Sequence, residues 1–80
     1  MIDDADIRRF IAETFFVDDF SADDSFLQTG IVDSTGMMEL VAFLENKYLI
    51  KIEDQELIPE NLDSVSNVCR FVEYKRSKAA

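Results

Sequence analysis

The stretch from Met37 to Tyr48 constrains the fold most. Met37, Leu40, Val41, Leu44 and Tyr48 follow the three- and four-residue spacing of an α-helix with a wide apolar face, flanked by Met38 and Phe43. A face that wide predicts the central and most buried helix of the molecule, starting at Asp33 or Ser34 and ending near Tyr48.

Two further stripes supply partners for it. Ile7, Phe10, Ile11 and Phe15 predict a first helix over about 4–16, with Asp3 or Asp4 as cap and Asp6 favouring its positive end. Val65, Val68, Cys69 and Val72 form the inner stripe of a last helix, capped by Asp63 or Ser64, with Lys75, Arg76 and Lys78 suiting its negative end.

Between these helices the pattern breaks. Residues 17–33 are rich in Asp, Ser and Gly, with apolar anchors at Val17, Phe20, Phe26, Leu27 and Ile31, and predict a long loop packed at several points. Within it Ser25 and Gln28 can cap one helical turn. The stretch LIKIEDQELIPENLDSV, residues 49–65, reads as a connection in which Pro59 opens a one-turn helix, PENL. No alternating pattern calls for a sheet. The expected fold class is all-α: a four-helix bundle of three main helices and a short third one, with a long first loop, in one domain over 1–80.

Eighty residues leave room for one core, since at this length only about 60% of the surface of the unfolded chain can be buried. A hydrophobic content of 48% with two Gly and one Pro separates the chain from disordered sequences. The net charge is −9, from 17 acidic and 8 basic residues, and it is unevenly spread. Between Phe10 and Asn46 lie eight acids and no Lys or Arg. Such a surface repels phosphate backbones and anionic lipid and speeds encounter with basic protein patches. Neither nucleic acid nor membrane insertion is expected, and the chain is expected to be monomeric.

The single Cys69, between apolar neighbours, reads as a buried thiol in a reducing compartment. The N-terminal MIDDADIRRF has no apolar signal region and no run approaches a membrane span, so a cytoplasmic location is expected.

Intrinsic catalysis has no residue set to carry it. Without histidine there is no Ser-His or Cys-His pair, and the commonest zinc ligand is missing. Asp18-Asp19 and Asp23-Asp24 are loop neighbours without an apolar pocket to raise one pKa. An EF-hand loop starting at Asp18 or Asp19 lacks the glycine required at its sixth position. No catalytic residue and no metal ligand is assigned.

The segment GIVDSTGMMEL, residues 30–40, carries the remaining chemistry. Asp33 or Ser34 can cap the central helix, which is worth about 1 kcal/mol. The same geometry presents a hydroxyl outward at a helix N-terminus, where backbone N–H groups and the dipole favour an attached phosphate. A serine so placed can accept a group that another enzyme delivers.

The segment from Gly30 to Glu45, GIVDSTGMMELVAFLE, resembles the phosphopantetheine attachment region of acyl carrier proteins, in which Asp-Ser opens the second helix and Glu-Leu follows five residues after the serine. The likeness covers nearly the whole chain: a first helix, a long loop with a Phe and a glycine before Asp-Ser, a central helix ending in Tyr48, a turn at Ile52 to Asp54, a short third helix, and Asp-Ser-Val at the fourth. The resemblance implies that Ser34 receives 4′-phosphopantetheine from coenzyme A through a magnesium-dependent transferase, and that the prosthetic thiol carries cargo as a thioester. It also implies that Asp33 helps dock the transferase, and that Met38, Glu39, Ala42 and Glu45 meet basic and apolar patches on partner enzymes.

Two positions depart from the family pattern. Thr35 stands where leucine usually follows the serine, removing an apolar partner contact, and Gly36 stands where a polar residue is usual. Gly36 costs about 1 kcal/mol of helix propensity relative to Ala, so it either loosens the first turn or allows close approach by a partner. The expected function is a carrier shuttling acyl groups between biosynthetic enzymes of fatty acid, polyketide or specialised metabolism. Its partners are then a phosphopantetheinyl transferase, an acyl- or aminoacyl-loading ligase or synthase, and downstream acyl-using enzymes. The PENLDSV segment is similar to that of free-standing aminoacyl and D-alanyl carriers loaded by adenylating ligases. The alternative from another class is an unmodified acidic interaction module.

Overall fold

The computed structural model describes residues 4–79. In chain order it contains α1 (Ala5–Phe15), α2 (Phe26–Thr29), α3 (Ser34–Tyr48), a 3-10 turn (Asp54–Glu56), α4 (Pro59–Leu62) and α5 (Val65–Ala79). All regular structure among the described residues is helical, as the periodicities require. The three main helices lie where their stripes predict, and the short helices are the Ser25 turn and PENL.

One core joins all five helices. Ile7 and Ile11 enter from α1, Phe26 from α2, Leu40, Val41 and Leu44 from α3, Leu62 from α4, and Val65, Val68, Phe71 and Val72 from α5. Val32 and Ile52 close it from the connections. At roughly 25 cal/mol per Å2 of apolar surface removed from water, each fully buried Leu, Ile or Phe contributes about 1.5–3 kcal/mol, so these side chains hold the helices together. Phe10 stacks on Phe43 at 4.3 Å between ring centres and meets Phe15 edge-on at 6.2 Å, fastening α1 along α3. The exposed Asp6–Lys47 pair at 3.3 Å joins the same helices and adds little in water.

Several expectations are corrected by packing. The last helix buries as many side chains as α3 does, so α3 is not the most buried element. Phe71 enters the core and Cys69 is only half-buried. At about 100° per residue Phe71 and Cys69 lie on opposite flanks of the line between Val68 and Val72, about 80° from it on either side, so the helical period does not choose between them and the packing of the neighbouring elements takes the larger ring inside. Leu27, expected as an anchor of the loop, is 60% exposed. Asp4 occupies the cap position of α1 but its side chain makes no capping bond, and Asp3 lies outside the described residues.

The loop between α1 and α2 is tied at both ends. Arg8 donates through Nη2 to the Phe20 carbonyl at 2.8 Å and lies over the Phe20 ring. The Ser66 amide donates to the Ala22 carbonyl at 2.9 Å, and Ser66 Oγ donates to Asp23 Oδ1 at 2.7 Å. Ser25 accepts from the Gln28 amide at 3.2 Å, so the predicted capped turn forms, and Gly30 ends it with φ of 75°.

Asp63 has a different task from the one its position suggested. Ser64 caps α5, accepting from the Asn67 amide at 3.1 Å. Asp63 turns instead to α2, where its carboxylate accepts from Ser25 Oγ at 2.5 Å and from the Leu27 amide at 3.0 Å, while its carbonyl accepts from the Phe26 amide at 2.6 Å. Three bonds from one residue thus pin the start of α2 to the corner between α4 and α5.

Candidate functional site

The first turn of α3 settles which of two adjacent side chains does the capping. Asp33 is extended, as an N-cap must be, and its Oδ1 accepts from the Gly36 amide at 2.7 Å. Ser34 is therefore the first helical residue; it is exposed, and among the described residues its hydroxyl enters none of the hydrogen bonds that hold the turn. The serine is released from structural work by its neighbour. The amides of Ser34 and Thr35 belong to the first turn, where no intrahelical acceptor exists, and they point with the helix dipole toward the space in front of the hydroxyl.

That space opens on an apolar recess. A cavity of about 240 Å3 is bounded by Leu27 of α2, Asp33, Ser34 and Met37 at the start of α3, and Leu57, Ile58, Pro59, Leu62 and Asp63 on the opposite wall. Pro59 starts α4 and holds Ile58 in extended backbone before it, so Ile58, 40% exposed, and Leu27 form the lips of the recess. The bonds from Asp63 to α2 fix the distance between these two walls. The sequence pattern placed Leu27 as an anchor of the loop and Leu62 in the PENL helix, and gave no role to Leu57 and Ile58. The wall forms between segments about thirty residues apart, which no local period reveals.

The residues expected to meet partners separate into two groups. Thr35, Met38, Glu39 and Ala42 are exposed along one face of α3, with Asp33 exposed at its head. Gly36 is buried, and what approaches it closely is Phe15 of the same chain. A Cβ at position 36 would lie 2.9 Å from Phe15 Cζ, closer still to Cε1, and 3.2 Å from Asp33 Oδ1. Glu45 is half-buried, and its Oε2 accepts from the Ile52 amide at 2.9 Å, tying α3 to the segment that follows it.

An outward hydroxyl at a helix head, framed by free-end amides and an apolar recess, suits a covalently tethered group with a phosphate at its root. The model of the phosphopantetheine attachment site family matches residues 5–72, and the chain belongs to that family, that of the acyl carrier proteins. It is a phosphopantetheine-bearing carrier domain, of a kind that generally performs no catalysis itself. A comparison with curated proteins found no match.

The residues present fit the prosthetic group. The first-turn amides of α3 suit a phosphodiester, and Leu27, Met37, Leu57, Ile58 and Leu62 offer apolar surface beside it. When attached, 4′-phosphopantetheine supplies a thiol at the end of a flexible arm. No helix among the described residues is long and apolar enough to cross a membrane.

Proposed function

We propose that Ser34 is the attachment residue and that the protein shuttles acyl groups, held as thioesters on the prosthetic arm, between biosynthetic enzymes. The observation that carries this reading is the division of labour at the head of α3: Asp33 takes the cap bond, and the Ser34 hydroxyl stays exposed beside the recess. In the modification, Ser34 Oγ forms a bond to the phosphorus that bears the pantetheine of coenzyme A. The bond to the adenosine 3′,5′-bisphosphate portion breaks, that portion leaves, and the hydroxyl proton passes to a base on the transferase. The carrier contributes an oriented hydroxyl, and the visiting enzyme contributes base and magnesium, so a chain without histidine is sufficient.

Asp33, Thr35, Met38, Glu39 and Ala42 are read as the face that partner enzymes meet. Their exposure and the absence of any Lys or Arg between Phe10 and Asn46 support docking by basic partner surfaces. A loading ligase or synthase and downstream acyl-using enzymes follow as partners, in the cytoplasm. Incubation with coenzyme A and a broad-specificity phosphopantetheinyl transferase should add the mass of one phosphopantetheine, and Ser34→Ala should abolish the gain. A gain that persists in Ser34→Ala would place the attachment elsewhere.

A further inference from the structure

Phe16 is the most exposed large apolar residue of the described chain, at 92%, and it closes α1 in the left-handed conformation with φ of 59°. An aromatic ring in water and a backbone region that favours glycine are two separate costs at one position; the Phe16 and Val17 amides donate to the Ala12 carbonyl and offset part of the second, while the ring itself stays 92% exposed. The position of the residue suggests what offsets them. Phe15 packs against Gly36 in the first turn of α3, so the next residue stands at the rim of the end that presents Ser34. Around it Glu13, Asp18 and Asp19 are exposed acids.

We infer that Phe16 is an aromatic anchor for the enzyme that modifies Ser34, inserting into an apolar pocket bordered by Lys or Arg on that enzyme. The inference rests on the Ser34 assignment. The choice of occupant follows from reach: an enzyme acting on an arm already attached can stand off, whereas the transferase must bring phosphorus within bonding distance of Ser34 Oγ. Its face must therefore cover the surroundings of the first turn of α3, including the rim where Phe16 stands. A desolvated aromatic ring inside a ring of charged contacts is the usual composition of a binding hot spot, and the acids around Phe16 supply the charge complement.

The molecule contains its own control. Leu49 is likewise left-handed, with φ of 56°, and 87% exposed, at the opposite end of α3, about 22 Å away along a fifteen-residue helix. It stands among Lys51, Glu53, Lys75 and Lys78, with Lys75 already paired with Glu56, so it lacks the acidic surroundings of Phe16.

The test compares Phe16→Gly, Phe16→Asn and Leu49→Gly in the full chain. Initial rates of mass gain with coenzyme A and a broad-specificity transferase, measured over a range of carrier concentrations, give kcat and KM, and thermal unfolding gives the midpoint. Both Phe16 variants should raise the KM for the carrier about tenfold, with kcat unchanged and a midpoint equal to or above that of the parent. Leu49→Gly should leave KM unchanged. An unaltered KM in the Phe16 variants, an equal rise in Leu49→Gly, or a rise accompanied by a lower midpoint would overturn the anchor. If the parent chain gains no mass, the Ser34 reading fails and the anchor with it; if the parent gains mass and only the Phe16 prediction fails, Ser34 stands.

Discussion

The Phe15 ring occupies the space that a side chain at position 36 would need, so the glycine in the first turn of α3 is there for a neighbour within the chain. Gly36→Ala gains about 1 kcal/mol of helix propensity but pushes on a ring already packed against Phe10, and such overpacking costs about 1–3 kcal/mol. We expect a net loss of stability in urea unfolding. Combining it with Phe15→Leu should recover part of that loss, giving a coupling of about 1 kcal/mol in the double-mutant cycle; additive losses would show that the contact is not strained by a methyl group.

Asp63 is predicted to be more important to stability than its place in a connection suggests. Asp63→Ala removes the acceptor for both Ser25 Oγ and the Leu27 amide, at about 1–3 kcal/mol for groups left without a partner. Ser25→Ala should cost less, and the two losses should be strongly non-additive. Hydrogen exchange at the Leu27 amide provides a local readout, and should accelerate in Asp63→Ala well before global unfolding.

The two glutamates of α3 should behave differently when reversed. Glu39 is exposed and free of fold contacts among the described hydrogen bonds, so Glu39→Lys should leave stability within about 0.5 kcal/mol while slowing transferase modification. Glu45→Lys deprives the Ile52 amide of its acceptor and should destabilise by about 1–3 kcal/mol. Equal stability of the two variants would contradict the Glu45–Ile52 bond.

A pH dependence follows from Glu56. Its carboxylate accepts two bonds from Lys75 Nζ, at 2.8 and 3.1 Å, and one from the Glu53 amide at 2.9 Å. The Lys75 bonds, with help from the backbone, hold its pKa below the ordinary value of 4.5 against the opposing effect of burial. A carboxylate depressed in the folded state stabilises fully above its unfolded pKa. That contribution disappears as pH falls through the folded value. The two side chains are 19% and 22% exposed, against 45% and 46% for the Lys47–Asp6 pair, so the Glu56–Lys75 pair is the less screened of the two. Glu56→Gln should make the decline of stability as pH falls below the ordinary carboxylate value of 4.5 less steep.

Gly30 tests backbone strain alone. Its φ is 75° and an added Cβ would meet nothing, so Gly30→Ala should cost about 1 kcal/mol through conformation only, and Gly30→Asn less. Chemical denaturation of the two variants distinguishes them.

The sequence by itself determined the helices, because each apolar stripe is a local period: Ile7 to Phe15, Met37 to Tyr48 and Val65 to Val72 all became main helices. It also determined the Ser25 turn, the PENL helix and the register of Asp33-Ser34 with Glu39-Leu40. The 3-10 turn at Asp54–Glu56 was expected only as a turn at Ile52 to Asp54; the local bond from the Glu53 amide to Glu56 closes it, and Lys75, nineteen residues away, adds an ion pair that no local pattern shows. Only the tertiary structure decided which side chains the fold consumes and which it leaves over. Asp63 and Ser25 are 38 residues apart in sequence, and the partners of Gly36 and Glu45 are set by how α1 and the segment after α3 pack, distances over which no period carries information. The Ser34 hydroxyl was left without structural work by a local bond, the one from the Gly36 amide to Asp33 Oδ1, while the recess beside it was built by tertiary packing of segments about thirty residues apart.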